Sequence, residues 1–283
     1  MSKKTQIRKA DNFLALHHDP KLLVLPNIWD PLGARLLQSL GYPAVATASA
    51  AVAYSLGYDD GQRISFAVML DVIGRIATSV GIPVTADIES GYAEQPQEVA
   101  DNVRRVMRAG AVGINLEDST IEGGPLRSID VQCDRIRAVR DMANREGVHL
   151  VINARIDLFL SEGTEPRTDR VSETIARAKA YIEAGADCVY PILVGDVDTL
   201  SVIRQETRAP INVYASASAA PMRDLEKAGI SRLSLGPGLI KASLTTMKNV
   251  ASELMEYGTY DSFTNEVMTS DEIAGYVSKD KMS

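Results

Sequence analysis

Only two cysteines and three histidines occur in the 283 residues. Cys133 and Cys188 match no zinc-ligand or redox spacing, which excludes a disulfide-built scaffold and fits free thiols in a reducing compartment. His17 and His18 belong to the N-terminal segment and His149 opens a predicted strand, so no imidazole is expected where chemistry would collect. Also missing is any apolar run of the ~18 residues that a membrane span needs. The opening MSKKTQIRKADNFLALHHD is basic but lacks the apolar core of a secretory signal. No Lys/Arg cluster offsets the net charge of -7, which sets the chain against phosphate backbones and anionic lipid. No stretch rich in proline, glycine or serine divides it. These absences describe a soluble cytoplasmic protein with one domain over 1–283 and neither nucleic acid nor membrane as a partner.

Hydrophobic residues make up 45% of the sequence, enough for a large core. One local pattern recurs: a helix ending in a small residue and glycine, a short turn, then a β-branched apolar run. It appears in SLGYPAVATAS, SVGIPVTADIE, RAGAVGINLED, EAGADCVYPIL and KAGISRLSLG. Glycine supplies the left-handed cap that ends a helix, and continuous apolar runs suit buried parallel strands. With LLVLPN, HLVINARID and PINVYAS the strands number eight, separated by amphipathic stretches such as 65–80, 96–109, 129–145 and 168–184. Eight βα units in about 250 residues predict an α/β fold of the (β/α)₈ TIM-barrel type. A helix over 5–17 precedes the first strand and a tail from 256 follows the eighth helix.

In such a barrel the C-terminal strand ends surround a shared cavity. The candidates are Asn27, Trp29 and Asp30 after strand one, then Thr47, Ser49, Ala50 and Ala51 after strand two. Strand three supplies Asp87, Glu89 and Tyr92; strand four, Glu117 and Asp118; strand five, Asn153 and Arg155. Tyr190, then Asn212 and Tyr214, then Gly236-Pro237-Gly238 complete the ring. Carboxylates converging at one mouth call for a hard divalent cation. Mg²⁺ suits them because it takes one or two carboxylates and keeps positions for water or substrate oxygens, with Mn²⁺ as the alternative ion. Arg155, the one basic side chain among these strand ends, either holds a substrate carboxylate or neutralises a core acid. The small residues Ser49, Ala50 and Ala51 either cradle a carboxylate with their N–H groups or allow tight strand–helix packing. Asp60 in LGYDDG is either part of a lid or a turn former.

These motifs resemble the isocitrate lyase/phosphoenolpyruvate mutase superfamily. The resemblance runs from PNIWDPLGARLL through TASAAVAYSLGYDDG, PVTADIESGYA, GINLEDS and NARID to LGPGLIKAS. It implies a barrel whose eighth helix is exchanged between subunits, commonly in a homotetramer, with Mg²⁺ and a 2-oxo- or 2-hydroxycarboxylate substrate. It also implies that Asp87 is the nearest metal carboxylate, that Glu89 and Glu117 hold metal-bound waters, and that Ser49, Ala50 and Ala51 bind the substrate carboxylate. Asp60 then sits on the gating loop and Arg155 completes the anion site. From their strand ends alone, Asn212 is expected beside the substrate and Tyr54, Tyr58, Tyr190 and Tyr214 are the candidate proton donors, Tyr190 foremost.

Departures from the superfamily narrow the reaction. Isocitrate and methylisocitrate lyases carry a Lys-Lys/Arg-Cys-Gly-His segment after the fourth strand; here the stretch reads STIEGGPLRS, with no thiol, lysine or histidine. A mutase uses a histidine after strand six, where this chain has YPIL, and the oxaloacetate decarboxylase branch has one late in the barrel. Arg127 is the one basic residue left for a phosphono group in the loop 122–128, which also carries specificity. The expected activity is Mg²⁺-dependent C–C cleavage of a small 2-oxo or 2-hydroxy acid through an enolpyruvate intermediate. Phosphonomutase or phosphonopyruvate hydrolase chemistry is the alternative, and a barrel that only binds a carboxylate is the other.

Overall fold

Glycines in the left-handed region end helices and release the chain into strands, and from this alternation the barrel is built. The computed structural model describes residues 1–120, 124–160, 166–264 and 267–278. Helix α1 (Lys3–His17), N-capped by Ser2, leads into β1 (Leu23–Leu25) and β2 (Asn27–Ile28). Then come α2 (Pro31–Ser39), β3 (Val45–Thr47), α3 (Ser49–Ser55), α4 (Phe66–Ser79), β4 (Val84–Asp87), α5 (Pro96–Ala109) and β5 (Gly113–Glu117). The second half comprises α6 (Ile129–Glu146), β6 (Val151–Ile156), α7 (Arg167–Glu183), β7 (Cys188–Pro191), α8 (Val197–Thr207), β8 (Asn212–Tyr214), α9 (Met222–Lys227) and β9 (Arg232–Ser234). The chain closes with α10 (Gly238–Tyr257), α11 (Asp261–Thr264) and α12 (Ser270–Val277).

Helix α5 shows the local logic. Val99, Val103, Val106 and Met107 recur at helical spacing and are buried against the sheet, and Gly110 at φ 115° stops the helix with its N–H turned back to the last turn. The following β5 is buried along its whole length, as a strand covered on both faces must be.

The strands run parallel in the order β2-β3-β4-β5-β6-β7 and β1-β9-β8. Two junctions join these runs into one ring. β1 and β2 are the predicted first strand interrupted at Pro26, which has no N–H to give to a ladder, and a parallel bridge between Val189 and Ile211 links β7 to β8. The result is the eight-stranded barrel expected from the sequence.

Phe13 of α1 plugs its floor. A side chain on Gly113 would stand 2.6 Å from the Phe13 ring and 2.8 Å from Thr85 Oγ1, so only glycine lets the ring seat there. At the other end α10 meets the barrel through Leu239 and Ile240 and leaves Leu244, Met247, Leu254, Met255 and Tyr257 exposed. The tail then returns, and α12 packs on α2, where Arg35 donates to the Tyr276 and Val277 carbonyls.

Candidate active site

The strand ends enclose a cavity of about 200 Å³ lined by Asn27, Ser49, Ala50, Tyr54, Asp60, Asp87, Asn115, Arg155, Tyr190, Tyr214, Ser234 and Lys241, with Leu160, Ile192 and Leu193 on an apolar side. Of the predicted residues, Asn27, Ser49, Ala50, Asp60, Asp87, Arg155, Tyr190, Tyr214, Gly236 and Pro237 therefore line one space, whereas Glu89 and Glu117 are buried beside it and do not line it. No imidazole or thiol lines it among the described residues.

Asp87 is held by the start of α3: the Ser49 backbone N–H and hydroxyl both donate to Oδ2, at 3.1 and 2.9 Å. Thr47 Oγ1 accepts from the Asp87 N–H and fixes the strand end. The first-turn N–H groups of Ala50 and Ala51 have no carbonyl four residues back within the helix, which leaves donors pointing out of its N-terminus. Beside Asp87, Glu89 sits in a left-handed backbone (φ 52°) and accepts from the Tyr92 hydroxyl at 3.2 Å. Burial, then the Asp87 and Asp60 carboxylates, push the Glu89 carboxyl up to about 8.

This is an acidic pole that asks for a proton or a cation. Among the described residues no three Asp, Glu, His or Cys side chains form a ready-made cage, but Mg²⁺ does not need one. Its hard-oxygen donors and the strain of ionising Glu89 beside Asp87 make the pole a fit for a divalent cation.

The raised Glu89 value has a consequence for stability. Between the ordinary value of 4.5 and about 8 the folded protein keeps a proton that the unfolded chain has released, so the contribution is complete below 4.5 and is lost as pH rises through about 8. Thermal melts of metal-free protein should therefore show falling stability across this window. Glu89→Gln should flatten the fall, and Mg²⁺ should restore stability most at the alkaline end; parallel curves for wild type and variant would contradict the assignment. The variant is needed because burial also pushes Asp118 up, to about 6, with the same sign at lower pH.

Arg155 lines the cavity and is at the same time braced by core acids, as the second of the two sequence readings expected. Its guanidinium donates to Glu117 and, at 2.6 Å, to Asp157, which Ser119 holds in turn. Glu117, Arg155 and Tyr190 form one row across β5, β6 and β7. Glu117 is thus drawn to the guanidinium, and Asp87 and Glu89 form the acidic pole beside it. Burial pushes the Tyr190 hydroxyl well above the ordinary phenol range, so it stays protonated.

Several expectations are corrected. Asp118 does not join the mouth: successive strand residues face opposite sides, and it turns outward to accept from the Asp157 N–H (2.9 Å), Arg177 (3.1 Å) and the Tyr181 hydroxyl (2.9 Å). Asn212 lies beneath the cavity, accepting from the Ser234 hydroxyl at 3.1 Å, and Ser234 takes the lining position. The Ala51 side chain packs with Ala48, Trp29 and Ile240, so only its backbone is on offer. Asp30 caps α2 through the Gly33 N–H. Arg127 is buried and bound to Glu94 and the Ser119 carbonyl, away from the cavity. In the loop 122–128, Glu122 and Gly123 lie outside the described residues.

Sequence reasoning missed Asn115, Ser234, Arg232 and Lys241. Strand parity could have found the first two, since Asn115 lies two residues before Glu117. Arg232 is wholly buried below the cavity, where one nitrogen donates to Asn115 Oδ1 at 3.3 Å. Lys241 enters from α10, where no strand pattern points to the mouth.

Comparison with known proteins agrees with this geometry. A family model described as phosphoenolpyruvate phosphomutase matches residues 13–255. A provisionally named lyase/mutase of Burkholderia cenocepacia J2315 superposes with a TM-score of 0.91 at 32% identity over 99% of each chain. A provisionally named phosphonomutase of the same organism gives 0.82 at 36% identity, covering 90% of this chain and all of the other. A 2-methylisocitrate lyase of Aeropyrum pernix is 25% identical over 89% of this chain and 81% of its own length. With its barrel and most of its length so matched, the chain belongs to the phosphoenolpyruvate phosphomutase family, within the isocitrate lyase/phosphoenolpyruvate mutase superfamily.

Proposed function

We propose that the protein is a Mg²⁺-dependent lyase or decarboxylase that cleaves a C–C bond of a small 2-oxo- or 2-hydroxycarboxylate through an enolpyruvate intermediate. The observation that supports this reading is the cavity that Asp87 and Arg155 line together, with Glu89 beside Asp87, and that no thiol or imidazole lines among the described residues. Asp87 would hold the cation, and by the family resemblance Glu89 and Glu117 would hold its waters; when bound, the ion would supply charge stabilisation for a developing enolate oxygen.

The chain's own residues do the rest. The Ala50 and Ala51 amides at the start of α3 bind the substrate carboxylate, while Ser49, its own N–H given to Asp87, keeps that side chain aimed at the cavity. Arg155, locked by two acids, sets a guanidinium beside the reacting carbonyl without reorganisation. Asp60 closes the rim and Leu160, Ile192 and Leu193 exclude water. Tyr190 presents a hydroxyl proton, suited to quenching an enolate more than to abstracting a proton from a hydroxy acid.

The likeness to a phosphonomutase supports P–C chemistry as the second reading, and the burial of Arg127 weighs against it. For assembly, the exposed apolar side chains of α10 beside a groove lined by Ile28, Trp29, Leu36 and Leu37 support a homotetramer with that helix exchanged. Pyruvate release from a panel of oxaloacetate and alkyl-substituted malates, with and without Mg²⁺, tests the reading. Turnover of phosphonopyruvate alone would favour the second, and Mg²⁺-dependent oxalate binding without product from any acid would make the barrel a carboxylate binder.

A further inference from the structure

Arg232 is a buried guanidinium that the proposed reaction does not use. It reaches across the barrel interior from β9, where it pairs in register with Asn212 of β8, and it is fully buried without an ion pair among the described residues. Among those residues its acceptor is Asn115 Oδ1 on β5, at 3.3 Å, while Nε and Nη1 meet none. Asn153 of β6 donates its Nδ2 to the same oxygen at 2.8 Å. Asn115 stands in register between Asp87 and Asn153 and lines the cavity. Two donors thus hold its carbonyl oxygen from behind. Its NH₂ group is left to the cavity and meets no protein acceptor among the described residues.

An asparagine amide has two orientations, related by a flip that exchanges oxygen for NH₂, and its neighbours decide between them. Asn153 does not decide, because it is an amide too and can turn over with its partner. A guanidinium has N–H donors and no acceptor, so it can face only the oxygen. Turning Asn115 over would set NH₂ against N–H beside Arg232 and would aim an oxygen into a space already lined by Asp60 and Asp87. We propose that Arg232 is a positioning residue that locks the Asn115 amide with its N–H donors toward the cavity, where they bind an oxygen of the anionic ligand held beside Asp87. The inference rests on the reading of the acidic pole given above and adds to it a neutral donor whose direction is set by a buried cation.

Oxalate binding measured by calorimetry with Mg²⁺ tests this through a double-mutant cycle. Asn115→Ala should weaken oxalate about tenfold, in the range of a hydrogen bond to a charged group. Arg232→Met removes a charge without stranding an acid, so the barrel should stay folded, and the freed amide should cost about fivefold in affinity. The double variant should bind like Asn115→Ala alone, because the arginine has nothing left to orient. Arg232→Lys, again a donor without an acceptor, should recover much of the loss. Arg232→Gln, whose carbonyl accepts and so tolerates the turned amide, should behave as Arg232→Met does and carries the same cycle if the methionine variant does not fold. Losses that multiply in the double variant overturn the assignment, since the arginine then acts by some other route. Oxalate binding unchanged in Asn115→Ala or in the folded Arg232 variant overturns it as well, and leaves the acidic pole standing. Failure of the wild type to bind oxalate with Mg²⁺ overturns both.

Discussion

Asp87→Asn is expected to abolish turnover while leaving the metal-free protein at least as stable as wild type. The amide retains an oxygen for the Ser49 N–H and hydroxyl, so the start of α3 keeps its anchor. What disappears is the charge. A site that no longer attracts a divalent cation loses several kcal/mol of stabilisation for a developing oxyanion, and at 1.36 kcal/mol per factor of ten this means a fall of about three orders of magnitude or more in kcat/KM. The same change relieves Glu89 of its like-charged neighbour, so that carboxyl should ionise more easily and the melting temperature at alkaline pH should rise or hold. Loss of activity together with loss of fold would assign Asp87 a structural role, and retained activity would remove the cation from the proposal.

Arg155→Met should damage both folding and function. Glu117 and Asp157 are 1% and 2% exposed, and the guanidinium is the cation that both share. Removing one partner of a buried ion pair typically costs about 3–5 kcal/mol because the other charge stays buried. The variant's carboxylates then favour protonation, so its deficit should shrink as pH falls, the signature that separates stranded charge from lost packing. Arg155→Lys retains a point charge without the planar fork that serves two acids from adjacent nitrogens, and should lie between wild type and Arg155→Met. Turnover in either variant should drop by about two orders of magnitude or more, as for loss of a preorganised donor. Denaturant titrations and single-turnover rates at two pH values distinguish these effects.

Much of this was legible in the sequence because two simple periodicities carry it. Glycine after a helix and a β-branched run after the glycine placed five of the eight predicted strands, apolar runs alone placed the other three, and the ring order follows from parallel pairing of neighbours. Asp87, Ser49 and Arg155 were legible because a strand end in a barrel has one direction to face. The errors have a common physical source. Glu117 and Asp118 are adjacent, and the pleat that sends one inward sends the other to Arg177 and Tyr181. Asn212 and Ser234 lie on neighbouring strands at different depths, and depth depends on register, which hydrophobic pattern alone does not set. Lys241 was invisible because its direction depends on the turn Gly236-Pro237, where Gly236 adopts φ 49° and packs against the Tyr214 ring.

The Phe13 plug gives the barrel a blind end. Exchange with solvent is thereby confined to the end of the barrel where Asp87, Arg155 and Lys241 stand, and a change at the Phe13 end reaches that mouth only through the packing of the strands between them.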